Sequence, residues 1–164
     1  MDAQPAALGL TIREASGDDL ATLLTIQREA AVNAFAHVFP QDLYPFPSDE
    51  IRELWRETFE NRDVEVHIAE LDDVPAGVVS LGGEFLSELY VLPAHQGLGV
   101  GSTLHDLALE RLRARGQKQV KLWTLEENWP ARRFYERRGW VLTDETRVVP
   151  FPPNPIDVQY ARDL

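Results

Sequence analysis

Three glycines spaced two residues apart, Gly97, Gly99 and Gly101, separate the apolar run Leu89-Tyr90-Val91-Leu92 from a long amphipathic segment. A turn without side chains lets several backbone N–H groups converge on one anion. A helix starting near Gly101 adds its unpaired first-turn N–H groups and a positive dipole end equivalent to roughly half an elementary charge. The residues describe a phosphate cradle. Glu84 and Glu88 lie on the segment leading into it, and Asn128 and Tyr135 follow downstream. Carboxylate and phenol are the side chains of general base and general acid work, each typically worth about 10²- to 10⁴-fold when positioned. His37, His67, His95 and His105 share no ligand spacing and cysteine is absent, so no metal site is expected.

The elements that must position these residues can be read from apolar periodicity. Leu8, Leu10 and Ile12 alternate with Gly9, Thr11 and Arg13, the two-residue period of a half-buried strand. Asp18-Asp19 opens a helix with Leu20, Leu23, Leu24, Gln27 and Ala31 on one face. From Val32 to Pro47 the period fades into a proline-broken loop carrying Phe35, Phe39, Tyr44 and Phe46, the kind of segment from which pockets are built. Ser48 starts a second helix on the stripe Ile51, Leu54, Trp55, Thr58 and Phe59. Val64 to Ile68, Ala76 to Leu81 and Glu84 to Val91 read as three successive strands joined by turns at Asp72-Asp73 and Gly82-Gly83. The cradle therefore closes a meander. Beyond it come a helix ending at Gly116, a strand over Gln119 to Thr124, a helix from Asn128 to Gly139, and strands around Trp140 to Thr143 and Ile156 to Ala161. Pro150 to Pro155 is a stiff connection. The order β, α, α, β, β, β, α, β, α, β, β predicts an α/β fold: one mixed sheet flanked by helices, in a single domain over residues 1–164.

Composition bounds the partners. With 164 residues and 44% of them hydrophobic, the chain has the material of an ordinary globular core. Its 27 acidic and 16 basic residues leave a net charge of −11, which opposes nucleic acid and anionic lipid; it reads first as a solvated acidic surface, with attraction of a cationic substrate such as an amine as the alternative. No run approaches the length of a membrane span and Met1 to Pro5 lacks the order of a signal peptide, so a cytoplasmic protein without membrane partners is expected.

Three nucleotide sites compete for the glycine turn. A P-loop needs Gly-Lys-Ser/Thr, and no lysine lies near. A dinucleotide fingerprint from Gly97 fails at Ser102, and too little chain follows to build a doubly wound sheet. The third site fits. Gln96-x-x-Gly99-x-Gly101, preceded by Leu89-x-Val91-x-Pro93 and followed by Asn128, Phe134-Tyr135 and Gly139-Trp140, resembles the acyl-coenzyme A signature of the GCN5-related N-acetyltransferase (GNAT) family. The close resemblance covers about residues 84–141.

The resemblance implies a mostly antiparallel central sheet of about seven strands with about four helices, and acetyl-CoA as co-substrate. It implies that the backbone of Leu89, Tyr90 and Val91 pairs with the pantetheine arm, with the Val91 N–H facing the developing oxyanion. Gln96, Gly97, Leu98, Gly99, Val100, Gly101 and Ser102 would hold the pyrophosphate, Asn128 would meet the pantetheine, and Tyr135 would sit near the sulfur as general acid. Family members acting on N-terminal amines often carry Glu at the position matched here by Trp123. The base then falls to Glu88 or Glu84, with Glu126, Glu127 and His67 as alternatives. The expected activity is acetyl transfer to a primary amine of a small molecule or peptide; a silent acyl-CoA-binding sensor or scaffold is the alternative, and a homodimer stays open.

Overall fold

The meander forms as its alternation demands, and β3 explains its own near-continuous apolar run by being buried on both faces. The computed structural model describes residues 9–164; the expected strand residue Leu8 lies outside them. The elements are β1 (Leu10–Glu14), α1 (Leu20–Ala34), α2 (Ser48–Glu60), β2 (Glu65–Leu71), β3 (Val74–Gly82), β4 (Phe85–Val91), α3 (Val100–Ala114), β5 (Gln119–Leu125), α4 (Trp129–Glu136), β6 (Val141–Val148) and β7 (Ile156–Asp163). They build one seven-stranded sheet in the order β1-β2-β3-β4-β5-β7-β6, antiparallel except where β4 meets β5. Within β3, Val78 packs toward α1 and α2 with Leu23, Ile26 and Ile68, while Val79 and Leu81 pack toward α3 with Leu104 and Leu112. The two layers of core bury apolar area at about 25 cal/mol per Å² and hold the sheet between the helix pairs.

Helix ends follow local chemistry. Ser16 and Asp19 form a capping box on a short 3₁₀ turn, Gly17–Asp19, so α1 proper begins at Leu20, slightly later than its acidic residues suggest. Asn128 accepts from the Ala131 N–H at 3.3 Å and caps α4. β6 runs to Val148, well past the expected end at Thr143, because the Pro150 to Pro155 connection folds back as a turn closed by Val149 N–H donating to the Pro155 carbonyl at 2.8 Å. Among the described residues no helix is long and apolar enough to cross a membrane.

Two irregularities shape the middle of the sheet. Parallel β4 and β5 share a single register pair, Phe85 with Lys121, supported by Lys121 N–H donating to the Glu84 carbonyl at 2.9 Å. Beyond that pair the strands part. On the other edge of β4 the register with β3 slips between Ser80–Glu88 and Leu81–Leu86, leaving Ser87 as a bulge.

Candidate active site

Strict alternation would set Leu86, Glu88 and Tyr90 on one face of β4. The bulge at Ser87 changes this, because one extra residue flips everything after it. Leu86 thereby joins Leu89 and Val91 against α3, and Tyr90 turns toward α1 and α2. Glu88 and Tyr90 come to line a cavity of about 950 Å³ that opens where β4 and β5 diverge. Leu122 to Leu125 of β5 line the opposite wall, together with Asn128 and Tyr135 of α4.

Burial drives the electrostatics. The Glu88 carboxyl is pushed up to about 7, chiefly by loss of solvent and further by Asp157, against the opposing effects of Tyr90 and Arg147. Asp157 is likewise raised by burial, tempered by Arg147, whose Nε donates to it at 3.0 Å. The Arg147 guanidinium also lies 4.6 Å over the Trp123 ring. Tyr135 is 7% exposed, and burial with the neighbouring Glu88 charge moves its phenol well above its ordinary value. Tyr135 is fixed by an aromatic chain: Phe134 at 5.3 Å, Trp140 at 5.9 Å, and Trp140 Nε1–H donating to His105 Nε2 at 2.9 Å. Burial lowers the His105 pKa, and its other ring nitrogen meets Asp106 at 2.9 Å, so this histidine serves the core as a neutral imidazole.

The glycine turn stands outside this cavity, at the end of β4. Gly97 and Gly99 have φ of 79° and 85°, left-handed values that glycine alone adopts at low cost. Gly99 caps α3, and Val100, Gly101 and Ser102 begin the helix with the N–H groups that a helix leaves unpaired. Ser102 Oγ accepts from Arg138 Nη2 at 2.6 Å, and the Arg138 guanidinium stacks 3.6 Å from the Phe134 ring centre. A cation is thus held beside the helix start.

The remaining expected site residues divide. Leu89, Tyr90, Asn128 and Tyr135 line the cavity with Glu88, whereas Val91 packs against the α3 core. Glu84 does not line it; its carboxylate pairs with Lys121 Nζ at 2.8 Å where β4 and β5 still touch. His67 also points elsewhere, meeting Glu65 at 3.0 Å beside Arg111 of α3 and Arg115 just past its end. Phe35, Phe39, Tyr44 and Phe46 of the aromatic loop do line the cavity. Sequence reasoning passes over Asp157 and Arg147, since Ile156-Asp157-Val158 reads as ordinary alternation with the acid toward solvent, although the two pair across β6 and β7. It also gives Trp55 and Gln27 only as helix-face residues. They meet at the cavity wall, Trp55 Nε1–H donating to Gln27 Oε1 at 2.7 Å.

The structure thus sets a wedge between parallel strands, a glycine turn that caps the next helix, and an acid and a phenol lining one cavity in one region of the fold. The sequence profile of the Acetyltransferase (GNAT) family matches residues 28–140. The chain belongs to the GNAT family. Curated relatives include a mycothiol acetyltransferase of Geodermatophilus obscurus, 45% identical over 62 residues that cover 36% of this chain and 20% of that one. Another, from Saccharomonospora viridis, is 33% identical over 147 residues, covering 80% of this chain and 44% of its own. This GNAT chain thus spans less than half the length of these two relatives. Among solved structures, a GCN5-related N-acetyltransferase from Rhodopseudomonas palustris superposes with a TM-score of 0.77 at 22% identity, covering 94% of this chain and 95% of that one. PaiA N-acetyltransferase from Thermoplasma acidophilum, in complex with coenzyme A, gives 0.74 at 19% identity, covering 95% and 99%. At such identities the superpositions establish the GNAT fold.

Proposed function

We propose that this protein transfers the acetyl group of acetyl-CoA to a primary amine, by direct attack of the amine on the thioester. The observation that carries the proposal is the divergence of β4 from β5 after Phe85 and Lys121, which opens a cavity flanked by Glu88 and Tyr135. The free edge of β4 at Leu89, Tyr90 and Val91 would pair with the pantetheine arm, and Asn128 would meet it from the α4 side. Gln96 to Ser102 would hold the pyrophosphate on backbone N–H groups, with Arg138 as the nearby counter-charge.

Glu88 takes the role of base. A lysine-like ammonium near 10.4 is neutral in only about one molecule per few thousand at pH 7, and a carboxylate near 7 at the cavity wall is matched to accept its proton. The neutral nitrogen forms the C–N bond while the C–S bond breaks, and the proton that the new amide nitrogen sheds passes to the departing thiolate, leaving amide and free thiol. Tyr135, held protonated by its raised pKa, donates a hydrogen bond to the departing sulfur. Because a thiol near 8.5 is the stronger acid, the phenol steadies the thiolate rather than surrendering its proton outright. The support for Glu88 over Glu84 is the bulge at Ser87 that turns Glu88 into the cavity.

The reaction fits the cytoplasmic setting expected of the sequence. Thiol release from acetyl-CoA, measured with and without each member of a panel of amines, tests it. Acceptor-dependent thiol is expected for at least one amine. Tight acetyl-CoA binding with no acceptor-dependent thiol anywhere in the panel would instead mark a silent acyl-CoA-binding module.

A further inference from the structure

The side of the cavity built by α1, α2 and the loop between them has its amide side chains tied up. Gln41 Nε2 donates to the Phe39 and Tyr44 carbonyls at 2.9 and 3.3 Å, and its Oε1 accepts from Phe46 N–H at 2.9 Å. Gln27 is committed to Trp55 at 2.7 Å and to the Tyr90 hydroxyl at 3.4 Å. Thr58 Oγ1 donates back to the Leu54 carbonyl at 2.9 Å within its own helix. What these groups leave facing the space is mainly apolar, with the rings of Phe35, Phe39, Phe46, Trp55 and Phe151 prominent among aliphatic side chains and the Tyr44 phenol beside them.

Charge is confined to the other end. Among the described residues the charged side chains lining the cavity are Glu88, Asp157 and Arg147. Arg147 neutralises Asp157 at 3.0 Å, so one carboxylate, Glu88, is left to receive one cation. A second ammonium entering this space would be stripped of water against an apolar wall with no acid to meet it. Peptide amides would lose their hydrogen bonds to water in the same way. An aromatic body finds edge-to-face partners on several sides.

We infer that the acceptor is an arylalkyl monoamine, its single amine directed to Glu88 and its ring seated among Phe35, Phe39, Phe46, Trp55 and Phe151. This inference rests on the acetyl-transfer function proposed above. It makes the aromatic loop between α1 and α2 the selector of substrate, and the closed hydrogen-bond ring of Gln41 the brace that fixes the loop's shape.

The test compares kcat/KM for 2-phenylethylamine and tryptamine with that for spermidine and for a tripeptide with a free lysine side chain, at saturating acetyl-CoA. At least a tenfold preference for an arylalkylamine over both is expected. A smaller preference, or a preference for spermidine or the peptide, overturns the inference and leaves acetyl transfer standing. Absence of thiol release with every amine overturns both. A second measurement uses Leu54, which lines the cavity but is 49% exposed on α2. Leu54→Glu supplies the missing second carboxylate and is expected to narrow the arylalkylamine-to-spermidine ratio at least threefold. An unchanged ratio in the folded variant would show that wall polarity does not set the choice.

Discussion

At the residue scale the proposed chemistry turns on two groups whose proton affinities are both shifted chiefly by burial. Glu88, pushed up to about 7, is protonated below that pH and ionised above it, so its basic form is lost as pH falls. The log of kcat/KM is accordingly expected to drop with unit slope below about pH 7. Glu88→Gln is expected to lower activity by about 10²-fold or more and to abolish that limb, as a pH profile of both proteins would reveal. In the proposed mechanism Tyr135 contributes only once sulfur begins to leave, so Tyr135→Phe should reduce kcat by about tenfold to a hundredfold, the worth of one charge-directed hydrogen bond. Acetyl-CoA affinity, read by calorimetry, should stay within about twofold, since the ring keeps its aromatic neighbours. Equal turnover in the two proteins would remove Tyr135 from the reaction. Asn128 and Tyr135 are legible in the sequence because they stand at motif positions. Asp157 and Arg147 carry no local signal, because burial of a strand acid is decided by strands and a cavity far away in sequence.

At the element scale, the order of strands and helices follows from periodicity because each amphipathic stretch has one face to bury. The divergence of β4 from β5 and the bulge at Ser87 do not. Both are agreements between strands, and nothing within Phe85 to Val91 distinguishes a slipped register from an ideal one. That is why Glu84 and Glu88 look equivalent until the strand is seen against its neighbours. The anchoring of α3 to β2 is a separate matter of charge. Glu65 is 11% exposed in its side chain, and burial, which would raise its carboxyl, is outweighed by Arg111, His67 and Arg115, which bring it down to about 2. A carboxyl lower in the folded state than in the unfolded one stabilises above the unfolded value of 4.5, and that stability fades as pH falls from there toward 2. With the half-exposed Arg111 discounted, the cluster is worth about 2 kcal/mol at neutral pH. Glu65→Gln should lower Tm by roughly 4–8 °C at pH 7 and by much less at pH 3, a difference that calorimetry across pH can read.

At the scale of the whole molecule, a net charge of −11 would treat the two proposed substrates oppositely. A cationic amine is drawn in and a polyanionic coenzyme is held off, so added salt should lower kcat/KM for the amine while raising the association rate of acetyl-CoA. Stopped-flow measurements from low salt to about 0.5 M would expose the crossing, and trends of the same sign for both would argue against a global field. The parting of β4 from β5 has one more consequence. An open strand edge in the middle of a sheet is an unfinished secondary structure, and the pantetheine arm, with its own amides, is chemically a short strand. Binding the coenzyme would then be the last step of folding. Amide protons of Leu89 and Val91, which face the open edge, should exchange quickly with deuterium in the free protein and slowly once coenzyme A is bound, whereas that of Tyr90, turned toward β3, should be protected in both, and the melting transition should gain about 2.7 kcal/mol at a hundredfold excess over Kd. Unaltered exchange in β4 on saturation would mean that the coenzyme lies elsewhere.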